Sequence, residues 1–471
     1  MIIVEKKSTM VQIVDSTLRE GRQTAPGINF SWEQSLKIAK LLHSLGIDII
    51  EVCHPVVSIE QKQIVREIVA SNLCPVIAHA RANLADIEAV KETSAQWVGI
   101  FLGINEETRL TRARWTISKI FNCIKESVMY AKTLGLKVRY TAEDASRTDY
   151  CLLKSVYSVA IEAGADCICF SDTVGIMEPN EVTETIEKLK SDFSTVPLEV
   201  HFHNDRGLAM ANALAASDAG AERISSSVNG LGERCGITDT LGLLVNLYYK
   251  GLRSLPSGEI IQRTSKYVAA FSRYPVNFNQ PISGGNAFIH TAHLHQKAVK
   301  RDPSSYSWIL PEYVGKTMEL SGKSIPSVHS LFLTPIVKCA SELGYHRYGD
   351  SVGHLMIDEC MVPNCRQSCI VREIRVVEEK PLAYVDVQTL YVDSLFLFLG
   401  HELGMKGLQV EVFLGQVVQK IDSPASVFIP AGVAHTYRIL NGSGFCINHV
   451  LSGSYNDSLL EPLDISSNSY S

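Results

Sequence analysis

Long hydrophobic runs are missing from this chain of 471 residues. None approaches the roughly 20 apolar residues needed to cross a bilayer, so a membrane-spanning protein is not expected. The opening MIIVEKKSTM has neither an extended apolar core nor a cleavage-site pattern, so no secretory signal is read there. A positive excess is missing too: 44 Lys and Arg stand against 50 Asp and Glu, a formal net charge of −6. General nucleic-acid affinity needs a concentrated basic face and is not expected, while a local basic pocket for an anionic ligand stays open. The twelve cysteines are scattered, without the density of a secreted disulfide scaffold, and a reducing cytosol fits them better. Cys360, Cys365 and Cys369 have loose metal-ligand spacing but no paired CxxC knuckle, and read as three ordinary thiols.

What is present is the composition of a globular protein, 46% hydrophobic and 20% charged, in a chain long enough for two or three domains. Short β-branched runs alternate with longer amphipathic ones. QIVDST, IDIIEV, VIAHA, WVGIFLG, KVRYTAED, DCICFSDT, LEVHFHND and RISSSVNG read as strands. Between them lie helix-like stretches such as SWEQSLKIAKLLHSLG and EPNEVTETIEKLKSD, several of which close on glycine. Eight strand–helix units over about 240 residues predict an α/β fold, a (β/α)8 TIM barrel, in preference to an open doubly wound sheet.

In such barrels, chemistry sits where strands end and loops begin. Arg19 and Glu20 follow the first strand, Glu51 and His54 end the second, and His79 and Arg81 end the third. Arg139, Thr141 and Glu143 run along the fifth, Asp172 and Thr173 end the sixth, and Asn229, Glu233 and Arg234 follow the eighth. Within HFHND, His201 and His203 are two apart and share a face, so both imidazoles can meet one ion. Alone, that pattern is better read as two hydrogen-bonded core histidines. Beside the other mouth residues it points to a divalent metal (Mg, Mn or Zn), with Glu20 as the carboxylate ligand. Such an ion would chelate and polarise a 2-oxo acid, and Arg19 would stabilise the developing alkoxide. Glu143 and Arg139 read as an acid–base group with its electrostatic partner, or equally as a structural ion pair.

DSTLREGRQ, YTAEDASRTD, SDTVGIMEP, HFHND and NGLGERCGIT resemble the homocitrate synthase and 2-isopropylmalate synthase family of metal-dependent TIM barrels, over roughly three quarters of the chain. The resemblance implies a Claisen-type condensation, in which acetyl-CoA as co-substrate adds to the ketone of a 2-oxo acid and the thioester is hydrolysed. It makes Glu20, His201 and His203 the metal ligands and Arg19 the oxyanion partner. Gln23, Arg81, Asn83, Arg139 and Thr173 would contact the oxo acid, and Glu143 would transfer a proton. The glycine-rich run with Asn229, Gly230, Gly232, Glu233 and Arg234 would receive acetyl-CoA. His295 and Tyr306 match residues that assist proton transfer from the partner subunit, which implies a homodimer or higher oligomer. The same superfamily holds 3-hydroxy-3-methylglutaryl-CoA lyases, ranked lower because the loop around Cys235 reads GERCG. Homocitrate synthases commonly carry histidine where Asn83 stands, yet GITDT looks more like them than like 2-isopropylmalate synthases. A homocitrate synthase-like activity therefore leads, followed by 2-isopropylmalate or citramalate synthase.

The expected layout is a catalytic barrel over 10–260, a helical subdomain over 261–346, a linker over 347–369, a cupin-like β-barrel over 370–455 and a flexible tail over 456–471. FIPAGVAHTYRILNGSG resembles the second cupin motif, and His435 matches a cupin metal ligand. The first motif is damaged, reading Gln388, Leu390 and Ser394 at the ligand positions, and leucine cannot ligate. Regulation, ligand sensing, assembly or a purely structural role all fit that domain, and a non-enzymatic sensor remains the alternative for the whole. A cytoplasmic location is expected.

Overall fold

The computed structural model describes residues 10–108, 115–320, 332–347, 352–362, 365–377 and 383–460. Two compact units are drawn from the chain: Met1–Val268 with Asn277–Phe288 and Pro303–Met318, and Ala269–Val276 with Ile289–Asp302 and Glu319–Ser471.

In the first unit, eight parallel strands close into a barrel in sequential order. They are β1 (Gln12–Leu18), β2 (Ile49–Val52), β3 (Val76–Arg81), β4 (Trp97–Gly103), β5 (Lys137–Glu143), β6 (Cys167–Asp172), β7 (Leu198–Phe202) and β8 (Arg223–Ser226). Each matches a run read as a strand from the sequence. Hydrogen-bonded pairing of β1 with β8 completes the ring. The helices are α1 (Trp32–Ser44), α2 (Ile59–Ala70), α3 (Leu84–Lys91), the single turn α4 (Glu106–Thr108), α5 (Ile117–Thr133), α6 (Tyr150–Glu162), α7 (Pro179–Asp192), α8 (Ala209–Asp218) and α9 (Thr240–Tyr249). Polar caps set their starts. Ser31 forms a capping box with Gln34, while Ser58, Asn83, Thr116, Asp149 and Asp239 each accept a first-turn backbone N–H. Val14, Ile49, Ile77, Trp97 and Cys167 form one buried apolar cluster of the barrel strands.

A longer helix, α10 (Gly258–Ser272), follows. The second unit is an antiparallel β-structure. A two-residue parallel pair, β9 (Ile289–His290) with β10 (Glu319–Leu320), precedes it, and α11 (His293–Arg301) lies between them in sequence. Its strands are β11 (Ile336–Lys338), β12 (Gly353–Ile357), β13 (Ser368–Val377), β14 (Thr389–Leu390), β15 (Ser394–Gly400), β16 (Leu408–Leu414), β17 (Val417–Asp422), β18 (Ala425–Ile429), β19 (His435–Val450) and β20 (Leu459–Leu460). The main path runs β11-β12-β13-β19-β15-β18, β16 joins β19 and β17, and β14 pairs β20. The sixteen residues of β19 serve two sets of neighbours: its first half pairs β16 and its second half lies between β13 and β15. Alternation on β15, with Ser394, Phe396 and Phe398 buried, points its bulky side chains into a core shared with Ile374, Val410, Tyr437 and Ile439.

Three boundaries differ from the expected layout. Residues 336–338 pair as a strand with β12, so they are sheet rather than the end of a helical subdomain. Strand β12 itself lies inside the span expected to be a linker. Leu459 and Leu460 pair with β14 in a separate two-stranded sheet, so the start of the expected tail is ordered. Short runs whose pairing partner is remote carry too little periodicity to be read alone. The expected β-barrel is, among the described residues, an open antiparallel path with a branch at β19.

Candidate active site

Period-two alternation decides which side chains reach the barrel axis. On β5 they are Arg139, Thr141 and Glu143; β6 sends Cys169 and Ser171, with Thr173 just past its end. His79, Phe101, His201 and His203 come from β3, β4 and the end of β7. With Arg19, Glu20, Gln23, His54 and Glu233 they line one cavity of ≈ 250 Å³ at the C-terminal ends of the strands.

The floor of this cavity is a buried ion network centred on Glu51. Its Oε2 accepts from Ser16 Oγ at 2.6 Å and Arg19 Nε at 2.9 Å, and its Oε1 pairs with Arg139. Arg139 reaches on to Glu199 Oε1 at 2.7 Å, and His79 Nε2 lies 3.5 Å from Glu51. Burial opposes the Glu51 charge, but Arg139 and Arg19 outweigh it and hold the carboxyl well below its ordinary range. Burial also works against Arg19, and the Glu51 and Glu20 carboxylates more than restore its positive form. His79 is kept neutral by burial and by Arg19, and stacks on Phe101 with ring centres 4.7 Å apart. Gly99 makes room for this network: a Cβ there would lie 2.7 Å from Arg139 Nη2.

Above the floor, Glu20, His201 and His203 offer ligand atoms within 4.8 Å of one another, the only such trio among the described residues. The two imidazole Nε2 atoms are 3.4 Å apart, and His203 Nε2 is 3.9 Å from Glu20 Oε1. Ser225 Oγ bonds His201 Nδ1 at 2.9 Å, which orients that ring and leaves Nε2 facing the trio. Burial pushes the pKa of both histidines down, that of His201 well below the ordinary value, so both present lone pairs. Two neutral imidazoles and a carboxylate from three points on the rim suit a divalent cation. Arg19 Nη1 bonds Glu20 Oε2, and the Gln23 amide, turned with its nitrogen toward Glu20, reaches both carboxylate oxygens at 3.0 and 3.2 Å.

The glycine-rich loop after β8 is clasped to the same centre. Glu233 N donates to Glu20 Oε1 at 3.1 Å, and Gly232 N to Thr24 Oγ1 at 2.8 Å. Arg234 forms a two-pronged pair with Asp205 and also reaches the Thr173 carbonyl at 2.6 Å. Gly230 and Gly236 have φ of 70° and 79°, and a Cβ on Gly236 would fall 1.8 Å from the Gly230 carbonyl oxygen. The Asn229 side chain is engaged with Ser265 on α10 and does not line the cavity.

Two expected substrate contacts lie elsewhere. Arg81, 64% exposed at its side chain, pairs with Asp86 at 2.8 and 2.9 Å. Asn83 is the cap of α3, accepting from Asp86 N at 2.9 Å, and borders a separate groove with Trp115 and Lys119. In the structure both brace the start of α3 through Asp86 and neither lines the barrel cavity. Arg139 does border the cavity, bound between two carboxylates. Tyr306 is half exposed in the first unit and outside the cavity lining, and His295 lies on α11 in the second unit. His435 is buried, with its ring against Phe396 at 5.5 Å. Glu199 and Ser225, which complete the network and orient His201, carried no functional signal in the sequence.

The HMGL-like family profile matches residues 10–268. Homocitrate synthases of Saccharolobus islandicus and Sulfurisphaera tokodaii are each 37% identical, over 68% of this chain and 70% and 71% of theirs. That of Saccharolobus solfataricus is 36% identical over the same shares, 68% and 70%. Among solved structures, the HMG-CoA lyase of Bacillus subtilis superposes with a TM-score of 0.52 at 20% identity, covering 57% of this chain and 95% of the lyase. A lyase from Acinetobacter baumannii, in complex with coenzyme A and 3-methylmalate, gives 0.51 at 19%, covering 58% and 94%. At that identity the lyases speak for the fold alone. The barrel, its polar mouth and the extent of the sequence match show that the chain belongs to the HMGL-like family, in its homocitrate synthase and isopropylmalate synthase group.

Proposed function

We infer that the chain is an acetyl-CoA-dependent condensing transferase that joins the acetyl methyl carbon to the ketone carbon of a 2-oxo acid, with hydrolysis of the thioester. The observation that carries this reading is the convergence of Glu20, His201 and His203 beside the Arg19 guanidinium. These three side chains would hold a divalent cation, which when bound supplies Lewis acidity to the ketone. Arg19, kept charged by Glu51, offers N–H donors to the oxygen that becomes an alkoxide. Thr141, Ser171 and Thr173 give the oxo acid hydroxyl partners along one wall. Glu143, at the top of the same wall, is the candidate to take the proton from the acetyl methyl group.

As the acceptor, 2-oxoglutarate is favoured because the homocitrate synthases are the similar relatives and Arg139 offers a cation at the cavity floor. A 2-isopropylmalate- or citramalate-forming activity is the second reading, favoured by the pairing of Arg139 with two carboxylates, which leaves the floor nearly neutral. A homodimer in which His295 and Tyr306 serve the partner's site, a cytoplasmic location and a cupin-type C-terminal domain complete the proposal. The test is a panel of 2-oxo acids with acetyl-CoA, read by a thiol reagent. Acceptor-dependent release of CoA thiol supports the assignment, and no release with any acid in metal-replete buffer overturns it.

A further inference from the structure

His54 and His79 line the barrel cavity, yet the roles given to Arg19 and Glu143 leave both unused. They continue a chain of contacts that starts at Glu51. That carboxylate holds Arg19 Nη2 with Oε2 at 2.8 Å and faces His79 Nε2 with Oε1 at 3.5 Å. On the other edge of the ring, His79 Nδ1 lies 3.1 Å from His54 Nε2. One carboxylate thus joins the ring pair to Arg19, the donor for the ketone oxygen, so the rings stand at the reacting end of the cavity. Packing fixes their planes. Phe101 stacks on His79 with centroids 4.7 Å and planes 6° apart, and His54 meets both edge-on, at 4.7 and 5.9 Å. The His54 backbone N–H donates to Gln61 Oε1 at 3.1 Å, which pins the residue in the loop between β2 and α2.

This order of partners sets the protons. A nitrogen lone pair aimed at the Glu51 carboxylate would be repelled, so the His79 proton sits on Nε2 and Nδ1 accepts. His54 Nε2 is then the donor across the 3.1 Å contact, which leaves the lone pair of the ring on Nδ1. His79 is buried, whereas His54 is partly exposed and is the ring that water can reach. Burial, reinforced by Arg19, brings His54 down to about 4, so the lone pair is present throughout the neutral range. A proton taken up at Nδ1 is balanced through His79 by Glu51, as a carboxylate steadies the imidazole base of a hydrolytic triad. The reaction needs such a group. Glu143 is the candidate for the proton of the acetyl methyl group, and hydrolysis of the thioester requires an acceptor for the proton of the attacking water.

We propose that His54 is the general base of the hydrolytic half-reaction, with His79 as the residue that positions it. The proposal rests on the condensing activity inferred above. His54 Nδ1 takes a proton from water as the water oxygen bonds to the thioester carbon. The C–S bond then breaks, and the proton passes from His54 to the departing thiolate. The new carboxylic acid releases its own proton to solvent. Single turnovers of the full chain, quenched and resolved by mass spectrometry of the CoA species, test this. In His54→Phe, which keeps the edge-on packing, the carbon–carbon-joined CoA thioester is expected to accumulate while free CoA appears about a hundredfold more slowly. Imidazole added to His54→Ala is expected to restore part of the hydrolysis, which a merely structural role would not allow. His79→Phe, which keeps the stack on Phe101, is expected to accumulate the same thioester without relief by imidazole. Hydrolysis at the unaltered rate in folded His54→Phe or His54→Ala would overturn the proposal. So would failure of these variants to form the joined thioester, a result that places His54 in carbon–carbon bond formation. An unaltered chain that forms no joined thioester with any 2-oxo acid would contradict the condensing activity itself, and this proposal with it.

Discussion

Glu51 holds Arg19 and Arg139 at once, with its side chain fully buried. Replacing it by Gln keeps the shape and leaves two guanidinium groups short of a counter-charge. Removing one partner of a buried pair costs about 3–5 kcal/mol. Glu51→Gln is therefore expected to lower the denaturant midpoint strongly, and an unchanged midpoint would show that the network is not what anchors the arginines. At the next contact outward, Ser225→Ala frees the His201 ring. About a tenfold loss of divalent-metal affinity is expected, read by metal titration with circular dichroism unchanged. Neither role was legible in the sequence in full. Glu51 was visible as a polar strand end, but its partners lie 32 and 88 positions away, and only barrel closure brings them together. Glu20, His201 and His203 were legible as a candidate ligand set only together with the other mouth residues, since HxH alone reads as two core histidines.

Strand β4 shows how an element serves the site by what it omits. Gly99 faces Arg139 and His79, and a methyl group there would come within 3.0 Å of both side chains. Gly99→Ala is expected to cost about 1–3 kcal/mol through overpacking, measured by thermal or chemical unfolding. It should also raise the KM for the oxo acid, because Arg139 must shift. The eight barrel strands were legible because short, largely buried runs rich in β-branched residues alternate with amphipathic helices, several of them closed by glycine. The C-terminal elements were less so. Residues 336–338 and 353–357 gain meaning only from pairing with one another and with β13, a context no local pattern carries. Arg81 and Asn83, expected as substrate contacts, both engage Asp86 at the start of α3, a local arrangement that propensity does not fix.

Across the whole molecule, buried carboxyls with raised pKa and buried histidines with lowered pKa impose opposite pH dependences. Burial raises the Asp15 and Asp239 carboxyls to about 6, above their unfolded value near 4. Their contribution is full below pH 4 and is lost as pH rises through about 6. Burial lowers His435 to about 4, and with Arg372 lowers His346 to about 3, so their contribution is full above pH 6.5 and is lost as pH falls toward 4. Asp15→Asn should therefore gain stability relative to the unaltered chain between pH 4 and pH 7, by on the order of 3 kcal/mol, in denaturation series at stepped pH. A difference that stays flat would mean that Asp15 titrates as it does unfolded. The central claim is a condensation assisted by the Glu20–His201–His203 site, and acceptor-dependent CoA release by His203→Ala beside the unaltered chain, each with and without chelator, tests it most directly. Release should occur with the unaltered chain, stop on chelation, return with added divalent cation, and be absent from a folded His203→Ala. Release that persists undiminished in both the chelated enzyme and the variant would contradict it.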